Sequence, residues 1–591
     1  MQSTWNRPLL ALVLTLAAAV AAAATPGAED SKFEALGQRF LDEFGRYSPV
    51  YATALGDHRF DGDLDDLSPA GRARGTAFAK DLLRQLSAID SKQLSRANQV
   101  DAAMLENQLR YAVWSEEKFR DWSWDPLSYT QLAGQGLYGL LAREYAPLPE
   151  RLRSVTSRLE KLPLLLEQMR ANLVPGRVPS IHAETVVKQN PGLLSLVDEL
   201  VVPNVGVLPE GDRVRLERAI ERARAAVQQH QQWLEKELLP NAKGEFRIGR
   251  ELYDEKLALA LMSPLSREQI RARAEAEVER IRAEMYSTAR QALAGREDVP
   301  PMPQSPNPAE QQAVIAAALE LAYADRPSRD GVVPLARQTL EETTAFVREK
   351  GFVTMPDEPL EIIVMPEFQR GVAVAYCDSP GPLDKGQRTF YAVSPIPEDW
   401  QQSRVDSFLR EYNDRSIANL TIHEAMPGHY LQLAHSNQYP SVLRAMLGSG
   451  PFIEGWAVYA ERVMQEQGYR AGDPLMKLIQ LKWYLRAVTN AIIDSAIHVD
   501  GMGREDAMKL MTETGFQEES EAAGKWVRAQ LTSAQLSTYF VGYQEHADLR
   551  RDAEARADGR FDARKYHDQL LSWGSPPVRY ARALMFGEPI R

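Results

Sequence analysis

Cysteine is nearly absent from this 591-residue sequence, which contains one, Cys377. A fold held by intrachain disulfides is excluded, because there is no second thiol to form a pair. Acidic residues outnumber basic ones, 81 to 69, for a formal charge of −12, and the basic residues form no run. This balance predicts no nucleic-acid partner, since phosphate binding needs clustered positive charge. We expect Cys377 to be buried; a catalytic thiol is the alternative.

Long apolar runs are also missing after residue 24. No stable membrane span is predicted for the mature chain, because a span needs about 18 such residues. Residues 1–24 instead have the parts of an export signal: Arg7, the apolar stretch Leu9 to Val20, and the small residues Ala22 to Ala24. An uncleaved anchor helix is the alternative, and no cysteine follows to carry a lipid. We predict an exported, periplasmic protein formed by residues 25–591.

Helical periodicity is abundant and sets the predicted fold class. After Ser266, apolar residues recur every three or four positions up to Ala289, and Ser266 with Gln269 forms a capping box. We predict a mainly α fold in one domain. Its parts are a helical region at 25–350, a small β region at 351–400 and further helices at 401–591.

Three short runs rich in β-branched and aromatic residues predict the small sheet. They are Leu360–Val364, Val372–Tyr376 and Thr389–Val393. The third run is a candidate for binding a peptide backbone by strand addition; packing at a sheet edge is the alternative.

The most informative segment follows this β region. His423 and Glu424 precede His429 by six and five residues. In the zinc-hydrolase signature H-E-x-x-H the two imidazoles lie four residues apart on one helical face, whereas six residues correspond to about 240°. Pro427-Gly428 predicts a kink that returns both rings to one metal. Glu424 is then placed as general base; two unrelated histidines are the alternative.

A catalytic zinc ion normally takes a third protein ligand. Glu454 and Glu461 lie seven residues apart on a helix-compatible apolar stretch, and so on one face. We predict Glu454 as the ligand and Glu461 as the partner that orients a ligand imidazole. Two solvent-facing glutamates are the alternative.

These motifs, HEAMPGHYLQ and EGWAVYAE, resemble the bacterial family called domain of unknown function 885, whose members resemble gluzincin-type zinc metallopeptidases. Similar stretches lie at Ser48–Ser68, Leu265–Ile281 and Ile492–Met511. The resemblance implies a large helical fold with two lobes around a deep cleft and a small sheet beside one Zn²⁺ ion. It also implies His423, His429 and Glu454 as the metal ligands and Glu424 as the base.

Candidate donors to the oxyanion of amide hydrolysis are His498, oriented by Asp494 one turn earlier, and Tyr539. A core histidine and a half-buried aromatic ring are the alternatives. Tyr539 belongs to a motif that usually reads PGQALxYxxG, but Ser533 and Ala534 stand here for Pro-Gly. Two other histidines are expected outside the site, His435 on a helix surface and His58 in a solvated turn.

Three functions follow from these patterns. The preferred one is an exported zinc peptidase that hydrolyses short peptides with a metal-activated water and Glu424 as base. The second is a zinc-dependent hydrolase of another amide or ester, for which the same ligands would serve. The third is a non-catalytic exported helical binding protein.

Overall fold

The computed structural model describes residues 27–366, 369–370 and 374–590. The predicted export signal, including Arg7 and the segment Leu9 to Val20, lies outside the described residues. The fold is mainly α with a small three-stranded sheet, as the periodicity predicts.

The first helices form their own apolar core. They are α1 (Ala28–Phe44), α2 (Pro49–Ala54), α3 (Pro69–Ser87) and α4 (Arg96–Trp114). Phe33, Phe40, Leu82 and Leu105 are buried between α1, α3 and α4.

The next six helices surround a second core. They are α5 (Pro126–Leu141), α6 (Leu148–Asn172), α7 (Ser180–Gln189), α8 (Gly192–Leu196), α9 (Glu210–Trp233) and α10 (Leu239–Asn241). Leu152, Leu159 and Leu166 of α6 face Leu216 and Val227 of α9 in this core.

Four further helices follow: α11 (Gly249–Leu261), α12 (Arg267–Leu293), α13 (Pro308–Ala324) and α14 (Val332–Lys350). The start predicted for α12 is confirmed, because Ser266 caps it and forms the reciprocal capping box with Gln269. Its predicted apolar positions, from Ile270 to Ala289, are buried.

The sheet contains β1 (Leu360–Val364), β2 (Ala375–Asp378) and β3 (Thr389–Val393), in the order β1-β3-β2. The bounds predicted for β1 and β3 are confirmed, whereas β2 begins and ends later than predicted and residues 371–373 are not described. The suggestion that Thr389–Val393 binds peptide as an added strand is wrong. It is the central strand, parallel to β1 and antiparallel to β2, and has no free edge.

Eleven helices complete the described chain. They are α15 (Gln402–Glu411), α16 (Asp414–Glu424), α17 (His429–Ser436), α18 (Val442–Met446), α19 (Gly450–Glu466), α20 (Pro474–His498), α21 (Arg504–Lys509), α22 (Glu519–Leu531), α23 (Ser537–Arg556), α24 (Ala563–Leu571) and α25 (Val578–Phe586). Most of them share the largest core with α11–α14 and the sheet. Helix α18 packs into the core of the first helices, and α21 and α22 pack with the end of α20 in a smaller core. Within the described ranges, no helix combines the length and the hydropathy that crossing a membrane requires.

Candidate metal centre

The segment between α16 and α17 turns two histidines toward each other. A kink was predicted here, but the chain instead ends one helix at Glu424 and begins another at His429. The peptide bond Met426–Pro427 between them is cis. Gly428 permits this turn, since a Cβ there would lie 1.9 Å from the carbonyl oxygen of His423. The imidazole rings of His423 and His429 consequently lie 4.8 Å apart, with their planes at 89°.

Helix α19 brings the predicted carboxylate to these rings. Glu454 Oε2 lies 3.7 Å from His423 Nε2 and 3.4 Å from His429 Nε2. All three candidate ligand atoms lie within 4.8 Å of one another. Atoms bound tetrahedrally to zinc at about 2.0–2.1 Å are roughly 3.4 Å apart. The two measured separations therefore suit a single shared ion.

The chemistry of these donors also fits a cation. Glu454 Oε2 is buried and has no hydrogen-bond partner among the described residues. Burial raises the pKa of Glu454, but His423 and His429 outweigh it and hold this pKa well below its usual range. Oε2 is thus a buried anionic oxygen without a hydrogen bond from the described residues. Two imidazole nitrogens and one carboxylate oxygen form a donor set typical of catalytic zinc.

Glu461 holds the other side of the first histidine. Its Oε1 lies 2.7 Å from His423 Nδ1, and its Oε2 accepts a hydrogen bond of 2.7 Å from Asn419 Nδ2. Burial lowers the pKa of His423, but the opposite effect of Glu454 and Glu461 is larger. The net pKa of His423 is therefore well above its usual range. This contact keeps a proton on Nδ1 and directs Nε2 toward Glu454, which is the orientation of a metal-bound imidazole.

Glu424, the predicted base, lies buried beside the histidines, with 7% of its surface exposed. Burial raises its pKa, while His423, His429 and a hydrogen bond from the backbone N–H of Cys377 partly oppose this effect. The net pKa is above that of an ordinary glutamate.

Cys377 approaches the site through its backbone. Burial, and then Glu424, raise the pKa of its thiol well above the usual range. A thiol of this kind stays protonated, which disfavours the catalytic alternative considered for it. Strand β2, which contains Cys377, is an edge strand of the sheet and runs beside Glu424.

Tyr539 at the start of α23 also reaches the site. Its ring centroid lies 6.5 Å from that of His423. Its Oη accepts a hydrogen bond of 3.1 Å from Arg528 Nη2 on α22. Arg528 was not predicted from the sequence, because it lies outside every motif and its helix is an ordinary amphipathic one.

The segment before Tyr539 is fixed by Asp494. The two oxygens of Asp494 accept hydrogen bonds of 3.0 Å from the backbone N–H groups of Ala534 and Ser537. Ala534 has φ of +61° at a position where the usual motif has glycine. The substitution noted in the sequence therefore leaves the left-handed backbone in place.

His498 does not join the site, and its prediction as an oxyanion donor is corrected here. Its Nε2–H donates to the carbonyl oxygens of Ala529 and Thr532, at 2.9 and 2.8 Å. The ring is buried beside Phe246 and Tyr253. His498 thus anchors the end of α22, because its N–H is already used by these carbonyl groups.

The two remaining histidines have structural contacts. His435 Nε2 donates to the carbonyl oxygen of Thr354 at 2.8 Å. The solvated turn expected at His58 is wrong, since this ring lies between Asp61 and Asp384, at 2.9 and 3.0 Å. It also stacks on Tyr145 at 3.4 Å.

Comparison with known proteins gives a family but no activity. The profile of a family described as "Bacterial protein of unknown function (DUF885)" matches residues 49–585. No curated protein matches the chain. A solved structure of a proposed lipoprotein of unknown function from Shewanella oneidensis is 34% identical, with a TM-score of 0.77, and the match covers 94% of this chain and 99% of that one. A proposed lipoprotein from Colwellia psychrerythraea is 19% identical, with a TM-score of 0.75 over 94% and 98%, and shows the fold alone.

Proposed function

The chain belongs to the bacterial family of proteins of unknown function DUF885, and we propose that it is an exported zinc-dependent peptidase acting on short peptides. The observation that carries this proposal is the meeting of His423, His429 and Glu454 beside the buried carboxyl group of Glu424. A ligand triad with a neighbouring base is the arrangement of zinc hydrolases.

In this proposal His423, His429 and Glu454 hold the ion, and Glu461 fixes the orientation of His423. When bound, zinc would lower the pKa of a water molecule and polarise the carbonyl group of the substrate. The carboxylate of Glu424 takes the proton of the attacking water and later delivers it to the leaving amine nitrogen. Its pKa, raised by burial, makes the carboxylate a stronger proton acceptor than that of an ordinary glutamate.

Tyr539 is the proposed donor to the oxyanion. Because its Oη accepts a hydrogen bond from Arg528, its own proton remains available for a substrate oxygen. The positive charge of Arg528 favours negative charge at this position. His498 has no part in this step, since its N–H is bound to carbonyl groups.

Substrate binding along the sheet edge follows from the position of β2. The backbone N–H of Cys377 in this edge strand points to Glu424, so a peptide in extended conformation that lies along β2 would pass the base. Separate apolar cores at 127–242 and 253–581 are compatible with two lobes, and we propose a cleft between them as the route to the site.

Export is supported by two observations. Residues 1–24 read as an export signal, and both similar solved structures are described as proposed lipoproteins, which are proteins of the cell envelope. A peptidase in this compartment would act on peptides outside the cytoplasm.

Substitution of the base tests the proposal. Purified wild-type protein should contain about one zinc per chain and cleave members of a mixed peptide library. Glu424→Gln should retain zinc and lose at least about a hundredfold in rate. Glu349→Gln, at a surface glutamate with 73% of its side chain exposed, is the matched control and should behave as wild type. Zinc-loaded protein that cleaves esters or other amides but no peptide would contradict the peptidase proposal, and absence of zinc would contradict both enzyme hypotheses.

A further inference from the structure

Helix α22 presents a group of charged side chains, of which the proposed hydrolysis uses only Arg528. Glu521, Lys525 and Arg528 follow one another at spacings of four and three residues, and so share one face of the helix. Arg486 of α20 lies 2.5 Å from Glu521 Oε1, and Tyr412 Oη donates a hydrogen bond of 3.0 Å to Glu521 Oε2. Both carboxylate oxygens of Glu521 are therefore already engaged.

Lys525 lacks a comparable partner. Its Nζ lies 3.9 Å from Glu521 Oε1, its side chain is 4% exposed, and it has no hydrogen-bond partner in the described part of the chain. Burial, reinforced by Arg486 and Arg528, holds the pKa of Lys525 well below its usual range. A buried ammonium group whose nearest carboxylate oxygen lies 3.9 Å away is incompletely paired, and a second anion beside it would lower the cost of its burial.

Lys482 is another buried lysine, and its ammonium group has close partners. Its side chain is 1% exposed, and its Nζ donates to Glu411 Oε2 at 2.7 Å and to Tyr323 Oη at 2.9 Å. Glu411 is thus taken by Lys482. The long ion pair of Lys525 therefore contrasts with the close pair of Lys482.

Arg528 is the second cation without a carboxylate partner. Its Nη2 donates to two uncharged acceptors, Gln535 Oε1 at 3.0 Å and Tyr539 Oη at 3.1 Å. Its Nε is buried and has no hydrogen-bond partner within the described ranges. Three cationic side chains, those of Arg486, Lys525 and Arg528, thus face the single carboxylate of Glu521.

This excess positive charge lies next to the candidate metal centre. Arg528 is bonded to Tyr539, whose ring packs near His423, and its charge acts on Glu454. Arg528, Gln535 and Tyr539 are each partly exposed, and the two hydrogen bonds of Arg528 hold the three side chains together. The planar guanidinium of arginine matches the two oxygens of a carboxylate.

We propose that Arg528 and Lys525 form a subsite for the free C-terminal carboxylate of the substrate peptide. The bond cleaved would then lie close to the C terminus, because the subsite is adjacent to Tyr539 and His423. This inference rests on the proposed peptidase function for the identity of the ligand, while the anion subsite itself rests on the long ion pair of Lys525 and the unpartnered Nε of Arg528.

Binding of matched peptides to the Glu424→Gln protein tests the inference without requiring turnover. Three N-acetylated peptides of one sequence are compared by calorimetry: the free acid, the C-terminal amide, and the amide with Asp as its last residue. The free acid should bind about 10- to 100-fold more tightly than the plain amide, the range expected for hydrogen bonds between charged groups. Adding Arg528→Gln or Lys525→Met should reduce this preference to about threefold or less.

Thermal unfolding distinguishes a binding role from a structural one. Lys525→Met removes a buried charge that is paired only at 3.9 Å, so the melting temperature should rise or stay unchanged while the preference for the free acid is lost. Lys482→Met is the matched control, and its melting temperature should fall because Glu411 loses its partner.

Equal binding of the free acid and the plain amide, or binding of neither, would overturn the inference. Tighter binding of the amide that ends in Asp than of the free acid would also overturn it, because the subsite would then read an acidic side chain. If the preference is found but wild-type protein cleaves none of the peptides, the subsite stands and the proposed peptidase function fails.

Discussion

Among single residues, Glu461 most directly controls the first imidazole. It is buried, holds His423 Nδ1 and is itself held by Asn419. Glu461→Gln should weaken zinc binding about 10- to 100-fold, because a neutral amide supports the ligand imidazole less well. Competition with a chromophoric chelator measures the affinity.

The control for this substitution lies on the same helix. Glu466→Gln removes a carboxylate that pairs with Arg462 and Arg550 at the C-terminal end of α19. It should leave zinc affinity unchanged. Equal affinities of the Glu461→Gln protein and the wild type would show that Glu461 has no role in orienting His423.

His58 predicts a pH dependence of stability. Burial lowers its pKa, but Asp384 and Asp61 outweigh burial and raise the pKa from 6.5 to about 9. The charged pair therefore stabilises the folded protein fully below pH 6.5, and this contribution is lost as the pH rises through about 9. After allowance for solvent screening, it should amount to about 1–2 kcal/mol.

Urea unfolding of wild type and His58→Gln at pH 6 and pH 10 measures this contribution. The wild type should be the more stable protein at pH 6, and the difference should nearly vanish at pH 10. A difference that is the same at both values would indicate that His58 contributes through packing on Tyr145 rather than through charge.

Sequence reasoning at the residue scale succeeded where the partners are local or belong to one motif. His423, His429 and Glu454 were selected from their spacing, and the structure brings them together. His498 was misplaced because its spacing from Asp494 looked like a local pair, whereas its real partners, Ala529 and Thr532, are distant in sequence. Arg528 was missed because it lies outside every motif.

At the scale of elements, the crossing of α19 and α23 positions Glu454. The helices touch through Gly455 and Gly542, and a Cβ at Gly542 would lie 1.9 Å from the carbonyl oxygen of Pro451. Gly542→Ala should reduce the free energy of unfolding by about 1–3 kcal/mol, because backbone atoms must separate. It should also weaken zinc binding, since Glu454 precedes the contact.

Gly524→Ala on α22 is the control, as a Cβ there meets nothing within 4 Å. It should stabilise the protein by up to about 1 kcal/mol through helix propensity. Zinc titration and chemical unfolding of both variants test the argument. Unchanged zinc affinity in Gly542→Ala would mean that the position of Glu454 does not depend on this crossing.

Elements with strong local signals were predicted accurately. The strands β1 and β3 have the expected bounds, and α12 begins at the expected capping box. The central position of β3 was not predictable, because alternation of side chains gives no order of strands. At Pro427-Gly428 the sequence predicted a kink rather than a break between two helices. The break depends on the close approach of Gly428 to the His423 carbonyl, and a sequence pattern does not show such an approach.

At the scale of the whole molecule, the site is assembled from remote parts of the chain. Strand β2 and helices α16, α17, α19, α22 and α23 each supply a group within or beside the candidate centre. All of these elements except α22 share one large apolar core, and α22 packs against α20 in a smaller one. Composition and periodicity predicted the helical fold, whereas the meeting of these elements required the structure.

The central claim is that His423, His429 and Glu454 bind one zinc ion. X-ray diffraction from zinc-loaded crystals, collected on both sides of the zinc absorption edge, tests this claim most directly. If these three residues bind zinc, a single anomalous peak is expected within about 2.0–2.2 Å of His423 Nε2, His429 Nε2 and a Glu454 carboxylate oxygen. A structure without a peak at this position, or with zinc bound only elsewhere, would contradict it.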